Sequence, residues 1–255
     1  MASTALSGTV SLVTGASSGI GEATAGALAK LGSSVAIVAR RRERLEQLAE
    51  RIDEQDGRAL VIEADVGSQR QAQDAVQRTV SELGRLDILV NNAGVMLLGP
   101  IENAPLEEWQ RMLEVNVQGL LYCAHAALPH LLRAAQEGPR GVADMVNISS
   151  VAGRVARVGS GVYNLTKHGV GAFSESLRQE MTERHVRVSL VEPGAVDTEL
   201  PAHNRPEIRA GIDETFSGVE RLTPEDIADA IAYIVTRPRH VAVNELLIRP
   251  TEQQR

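Results

Sequence analysis

Seven short apolar runs recur along this chain, at residues 10–14, 34–39, 59–64, 86–91, 142–149, 186–192 and 244–248. Between most of them lie longer amphipathic segments of helical length, at 19–31, 41–55, 68–83, 106–133, 162–184 and 224–236. A strand that is apolar on both faces must be covered on both faces, and an amphipathic helix between two such strands supplies the cover. The alternation therefore predicts parallel strands joined by right-handed helical crossovers. The expected class is α/β, a Rossmann-like doubly wound parallel sheet of about seven strands with helices on both faces. Over 255 residues there is no repeat, low-complexity tract or linker, so one domain spanning 1–255 is expected.

Two stretches break the rhythm. Residues 134–144 read as a polar, solvent-facing loop between a helix and a strand. Residues 197–222 follow a strand end and look long and irregular, the mark of a lid or binding loop, so a substrate loop is expected there.

Composition removes several function classes. The net charge of −7 disfavours non-specific binding to nucleic acid. No run of eighteen apolar residues predicts a membrane span, and the first residues lack the basic-then-apolar order of a secretory leader. The one cysteine, Cys123, forms neither an internal disulfide nor a cysteine-based metal site, which fits a cytoplasmic protein, and no metal is expected.

The first run ends in Thr14-Gly15-Ala16-Ser17-Ser18-Gly19-Ile20-Gly21 and passes into a helix. Glycines there let the backbone turn tightly and approach a pyrophosphate, while the helix start offers free N–H groups and the positive end of its dipole. A plain strand-to-helix turn of small residues is the bland alternative. At the end of the second run stands Val38-Ala39-Arg40-Arg41-Arg42. A site for NAD places an acid here, on the ribose 2′-hydroxyl. Guanidinium groups instead suit a 2′-phosphate. The cofactor expected is NADP (NADPH), with Arg40 the first contact and Arg41 the second. The competing reading, a solvated basic helix start, has to explain positive charge where the helix dipole disfavours it.

These pieces, taken with Asp65-Val66, Asn91-Asn92-Ala93-Gly94, Asn116, Ser150, Tyr163 with Lys167, and Pro193-Gly194 followed by Thr198, resemble the short-chain dehydrogenase/reductases over nearly the whole chain. The resemblance implies that Asp65 and Val66 hold the adenine and that Asn91, Ala93 and Gly94 line the adenosine side. It also implies that Pro193, Gly194, Val196 and Thr198 face the nicotinamide and its phosphate. Gly15, Ser17, Ser18, Gly19, Ile20 and Gly21 then form the phosphate turn.

The catalytic group can be argued chemically as well. Hydride arriving at a carbonyl carbon leaves negative charge on oxygen, so a proton donor must stand there. A free tyrosine, with a pKa of about 10, needs help at neutral pH. Lys167 lies one helical turn after Tyr163 and is one of only two lysines among 26 basic residues. It is expected to lower the tyrosine pKa by its charge and to hydrogen-bond the nicotinamide ribose. Ser150, thirteen residues before Tyr163, matches the family serine that orients the substrate oxygen. Asn116 matches the asparagine that helps hold a proton-relay water near the lysine. His125, His130, His168 and Cys123 read as structural or surface residues.

The reaction implied is reversible, NADPH-dependent reduction of an aldehyde or ketone to an alcohol. The ending, Asn244-Glu245-Leu246-Leu247-Ile248-Arg249-Pro250-Thr251-Glu252-Gln253, resembles those of family members that reduce clavulanate-type aldehydes, and of NADP-dependent dehydrogenases of 3-hydroxy acids such as serine. Met96 and Arg154 are expected at the substrate with Ser150 and Tyr163; Arg154 or Arg157 could meet a carboxylate, and a solvated surface position is the equal alternative for both. Two other readings stand beside this one: an enoyl reductase, whose tyrosine-to-lysine spacing is wider, and a catalytically silent NADP-binding sensor, which needs none of the four catalytic residues. The partner is a small-molecule carbonyl or alcohol, and a homotetramer, with a dimer as runner-up, is expected from the long helices at 106–133 and 162–184.

Overall fold

The computed structural model describes residues 5–254; residues 1–4 and 255, the ends of the expected 1–255 domain, lie outside it. The strands are β1 (Val10–Thr14), β2 (Ser34–Ala39), β3 (Arg58–Glu63), β4 (Ile88–Asn91), β5 (Ala143–Ile148), β6 (Val186–Pro193) and β7 (Glu245–Ile248). They form one sheet in the order β3-β2-β1-β4-β5-β6-β7, and every pairing is parallel. Every residue of β1, β4, β5 and β6 is buried, as two-sided cover requires. The edge strand β7 alternates exposed and half-buried residues, and β3 is exposed at both ends.

The helices are α1 (Gly19–Lys30), α2 (Arg42–Asp53), α3 (Gln69–Leu83), α4 (Leu106–Met112), α5 (Leu120–Glu137), α6 (Gly161–Met181), α7 (Pro206–Thr215) and α8 (Pro224–Val235). One apolar layer packs Leu89, Met145 and Val188 of the sheet against α3, α5 and α6. The other packs Val13, Ile37 and Val146 against α1, α2 and α8. Strand order reverses between β1 and β4, so the loops leaving their carboxyl ends diverge and open a crevice where ligands bind in such sheets.

Three expectations need correction. Residues 134–144 are not one loop: α5 continues to Glu137, because Ala134 and Ala135 stay packed in the core, and β5 begins at Ala143. The helix at 106–133 is not uniform: a π-helical stretch, Leu113–Gly119, separates α4 from α5. Residues 197–222 are not irregular: they hold a 3-10 turn, Leu200–His203, and α7. The ends of that segment are tied together by a parallel bridge between Val196 and Leu222. Among the described residues no helix is long and apolar enough to cross a membrane.

Candidate active site

At the carboxyl end of β1 the chain turns through Gly15, at φ +68°, and Gly19, at φ +55°, both left-handed conformations that favour glycine. The turn is braced from β4. Thr14 Oγ1 accepts hydrogen bonds from the backbone N–H groups of Asn92 (3.0 Å) and Ala93 (3.1 Å), and Asn92 Nδ2 donates to the Thr14 carbonyl at 2.9 Å. A side chain at Gly19 would meet Thr198 at 3.0 Å, so the groove between turn and loop is kept open by the missing Cβ. This is a cradle of the right kind for a pyrophosphate at the start of α1.

From the turn a cleft of about 390 Å³ runs across the carboxyl ends of the central strands. Gly15, Ser17, Ser18, Gly19, Ile20, Arg40, Arg41, Asp65, Val66, Ala93, Gly94, Met96, Ser150, Tyr163, Lys167, Pro193, Gly194, Val196 and Thr198 all line it. Four residues expected in the site do not. Gly21 lies beneath the turn, where its Cα hydrogens leave room for the Gly15 carbonyl. Asn91 is buried and donates to Asn147 Oδ1 at 2.9 Å, joining β4 to β5. Asn116, inside the π-helical stretch, exchanges 2.8 Å hydrogen bonds with the backbone N–H and carbonyl of Val95 and donates to Thr166 Oγ1. It thereby holds the loop after β4.

The fourth is Arg154. Its guanidinium is bound in a fork to the buried Glu192, and also to Glu245 on β7, so it is turned toward the sheet edge and not toward the cleft. Arg157, three residues on, is placed differently. It lines the cleft, one guanidinium nitrogen is buried without a hydrogen-bond partner, and its backbone N–H is anchored on Asn164 Oδ1 at 3.1 Å. Asn164 is the neighbour of Tyr163.

At the catalytic end α6 presents Tyr163 and Lys167 on one face, both buried. Lys167 Nζ lies 5.8 Å from the centre of the tyrosine ring and donates to the Ile148 carbonyl at 2.9 Å. Ser150 follows β5, caps the short turn Val151–Gly153 and hydrogen-bonds the Tyr163 hydroxyl. The expected lowering of the tyrosine pKa by the lysine is not what dominates. Burial pushes Tyr163 up to about 12, with the Ser150 hydrogen bond opposing, and burial brings Lys167 down to about 8. Desolvation disfavours whichever form is charged, so it drives the two groups in opposite directions. At neutral pH the tyrosine holds its proton and the lysine retains most of its own.

The two arginines after β2 both line the cleft but are held differently. Arg40 is largely exposed, 3.9 Å from Asp65. Arg41 is the fixed one: Nε and Nη2 donate to Ser17 Oγ at 3.1 and 3.0 Å, and Nη2 also donates to Ser18 Oγ at 2.7 Å. Its guanidinium thus borders the phosphate turn itself. Sequence reading missed Asn92, Arg111, which pairs with Asp65 at 3.2 Å, and Asn204, which clamps 197–222 onto the backbone of Met96 and Leu98. Of these only Asn92 lay within a quoted motif; the others carry no local signal.

Residues 9–209 match the family model described as short chain dehydrogenase. Among characterised and uncharacterised relatives, a glycine betaine reductase of Emericella nidulans is 39% identical over 248 residues, covering 97% of this chain but 19% of that protein. The chain thus spans about a fifth of that relative. An uncharacterized oxidoreductase of Staphylococcus aureus strain USA300 is 34% identical over 247 residues, covering 97% of this chain and 99% of the relative. Among solved structures, the closed form of serine dehydrogenase complexed with NADP+ is 32% identical with a TM-score of 0.87, covering 96% of both chains. An alcohol dehydrogenase from the archaeon Thermococcus sibiricus, complexed with 5-hydroxy-NADP, is 29% identical with a TM-score of 0.85, covering 97% of this chain and 98% of the other.

Proposed function

The chain belongs to the short-chain dehydrogenase family, and from that premise we propose that it is an NADP-dependent oxidoreductase that reversibly reduces an aldehyde or ketone to an alcohol. The observation that carries this reading is the buried Tyr163, one turn from Lys167, lining the same cleft as Ser150 and the glycine turn. When bound, NADPH supplies the hydride. Ser150 orients the carbonyl oxygen by hydrogen bonding, and Tyr163 gives its proton to that oxygen as charge develops. Lys167 places an ammonium under the tyrosine ring and stabilises the phenolate that results. Asn116 keeps the Val95 loop in place beside them. A cofactor-binding sensor would need none of this set.

Arg41 supports NADPH over NADH, as do the NADP ligands of similar structures. Kinetics with both cofactors, before and after Arg41→Ala, test this. The substitution is expected to lower kcat/KM for NADPH by about 10- to 100-fold, the range for charge-assisted hydrogen bonds, and to leave NADH within about threefold. Preference for NADH in the unmodified protein would overturn the cofactor reading.

The substrate reading is narrowed by Arg157. A guanidinium nitrogen buried without a partner in a cleft calls for an anion or water. The two substrate types taken from the chain's ending, a clavulanate-type aldehyde and a serine-like 3-hydroxy acid, both carry a carboxylate. The serine dehydrogenase among the similar structures favours the second. A spectrophotometric screen, run with NADPH over aldehydes, 3-oxo esters and aldoses and with NADP+ over 3-hydroxy acids, should include 4-formylbenzoate and its methyl ester with NADPH. The acid is expected to be the better substrate by about tenfold. A preference for the ester would exclude an acidic substrate.

The same proposal includes a cytoplasmic location, in keeping with a single cysteine buried in the core. It also includes a homotetramer, or failing that a dimer, because Leu106, Leu113 and Leu165 expose apolar surface. The solution mass by light scattering tests the assembly.

A further inference from the structure

The N-terminus of α2 carries four arginines, Arg40, Arg41, Arg42 and Arg44, where the helix dipole disfavours positive charge. The chain sends one carboxylate to meet two of them from 155 or more residues away. Glu199, at the head of the 197–222 segment, accepts from Arg41 Nη1 at 2.8 Å with one oxygen and from Arg44 Nη1 at 2.5 Å with the other. The two guanidinium groups hold its pKa down to about 2, so it stays anionic throughout the working range.

Arg41 is therefore shared. One edge of its guanidinium rests on the hydroxyls of Ser17 and Ser18, which are neutral and can rotate to donate to a phosphate. The other edge is taken by Glu199, which cannot share it with a second anion, since like charges in contact repel. Arg44 lies outside the cleft lining and offers the carboxylate somewhere to remain.

We propose that Glu199 determines how strongly this protein prefers a 2′-phosphorylated dinucleotide, because its carboxylate competes with the 2′-phosphate for Arg41. Arg44 retains Glu199 when the phosphate takes Arg41. Glu199 lies between Thr198, which lines the cleft, and the 3-10 turn Leu200–His203, so the exchange also bears on the segment over the substrate. This inference rests on the NADP reading.

The test is calorimetric titration of adenosine 2′,5′-bisphosphate and of adenosine 5′-monophosphate, with the unmodified protein and Glu199→Gln. Glu199 is about half exposed, so the variant keeps its core and should melt with the unmodified protein. The variant is expected to bind the bisphosphate about fivefold tighter, the scale of an exposed ion pair, with the monophosphate unchanged within about twofold. Weaker or unaltered bisphosphate binding in the variant, or an equal gain for both nucleotides, overturns the role of Glu199 alone. An unmodified protein that binds the two nucleotides equally overturns the NADP reading and this inference together.

Discussion

Tyr163→Phe is expected to lower kcat/KM for carbonyl reduction by about 10³-fold, in the middle of the range for a positioned general acid. The substitution removes one oxygen and keeps the ring. The packing of Tyr163 in α6 should therefore survive, and the melting temperature should change little. NADPH binding, measured by fluorescence titration, should stay within about twofold, because Arg41 and the glycine turn lie at the other end of the cleft. What is lost is a donor that burial keeps protonated at neutral pH and that Ser150 and Lys167 position. Some turnover should remain, since Ser150 can still polarise the carbonyl. Full activity in the variant would place the acid elsewhere, and loss of NADPH affinity would mean that Tyr163 acts chiefly in cofactor binding.

The second large effect is expected at a residue outside the cleft lining. A Cβ at Gly21 would stand 2.4 Å from the Gly15 carbonyl oxygen and 2.5 Å from Asn92 Nδ2. Both neighbours are part of the frame that shapes the turn: Asn92 Nδ2 donates to the carbonyls of Thr14 and Gly15. A methyl group there has to push α1 off the turn or expel the Asn92 amide. Gly21→Ala is therefore expected to cost about 1–3 kcal/mol of stability, as overpacking does. It should also reduce NADPH-dependent kcat/KM by about 100-fold, because a displacement of roughly 1 Å is enough for such a loss. Gly26 on the same helix is the control: a Cβ there meets nothing within 4 Å. Gly26→Ala should be neutral or slightly stabilising. If both variants behave alike in thermal melts and in NADPH titrations, helix propensity and not the packing at Gly21 governs the turn.

The residues that sequence reading placed well are those whose role depends on near neighbours in the chain. Tyr163 and Lys167 share a face because four positions make one turn of α6. Gly15 and Gly19 sit in a strand-to-helix turn because their own backbone angles demand glycine. The strands were legible because burial on both faces leaves an almost unbroken apolar run, as in β1 and β4. The residues that were misplaced take their direction from distant partners. Nothing local separates Arg154 from Arg157; Glu192 and Glu245, 38 and 91 residues away, capture the first and leave the second in the cleft. The π-helical stretch around Asn116 has no sequence marker, while the 3-10 turn and helix within 197–222 are marked only by prolines in their first positions, Pro201 and Pro206.

By itself the sequence determined the α/β class, the alternation of strands and helices along the chain, the glycine turn and the Tyr163–Lys167 pair, because each follows from periodicity and backbone sterics within a few residues. Tertiary structure alone decided the protonation of that pair, through the burial that raises one pKa and lowers the other. It alone decided which arginine lies against the serines of the glycine turn, and which of Arg154 and Arg157 lines the cleft, since a long flexible guanidinium goes wherever the nearest carboxylates and hydroxyls stand. Those partners are brought together only when the sheet has formed.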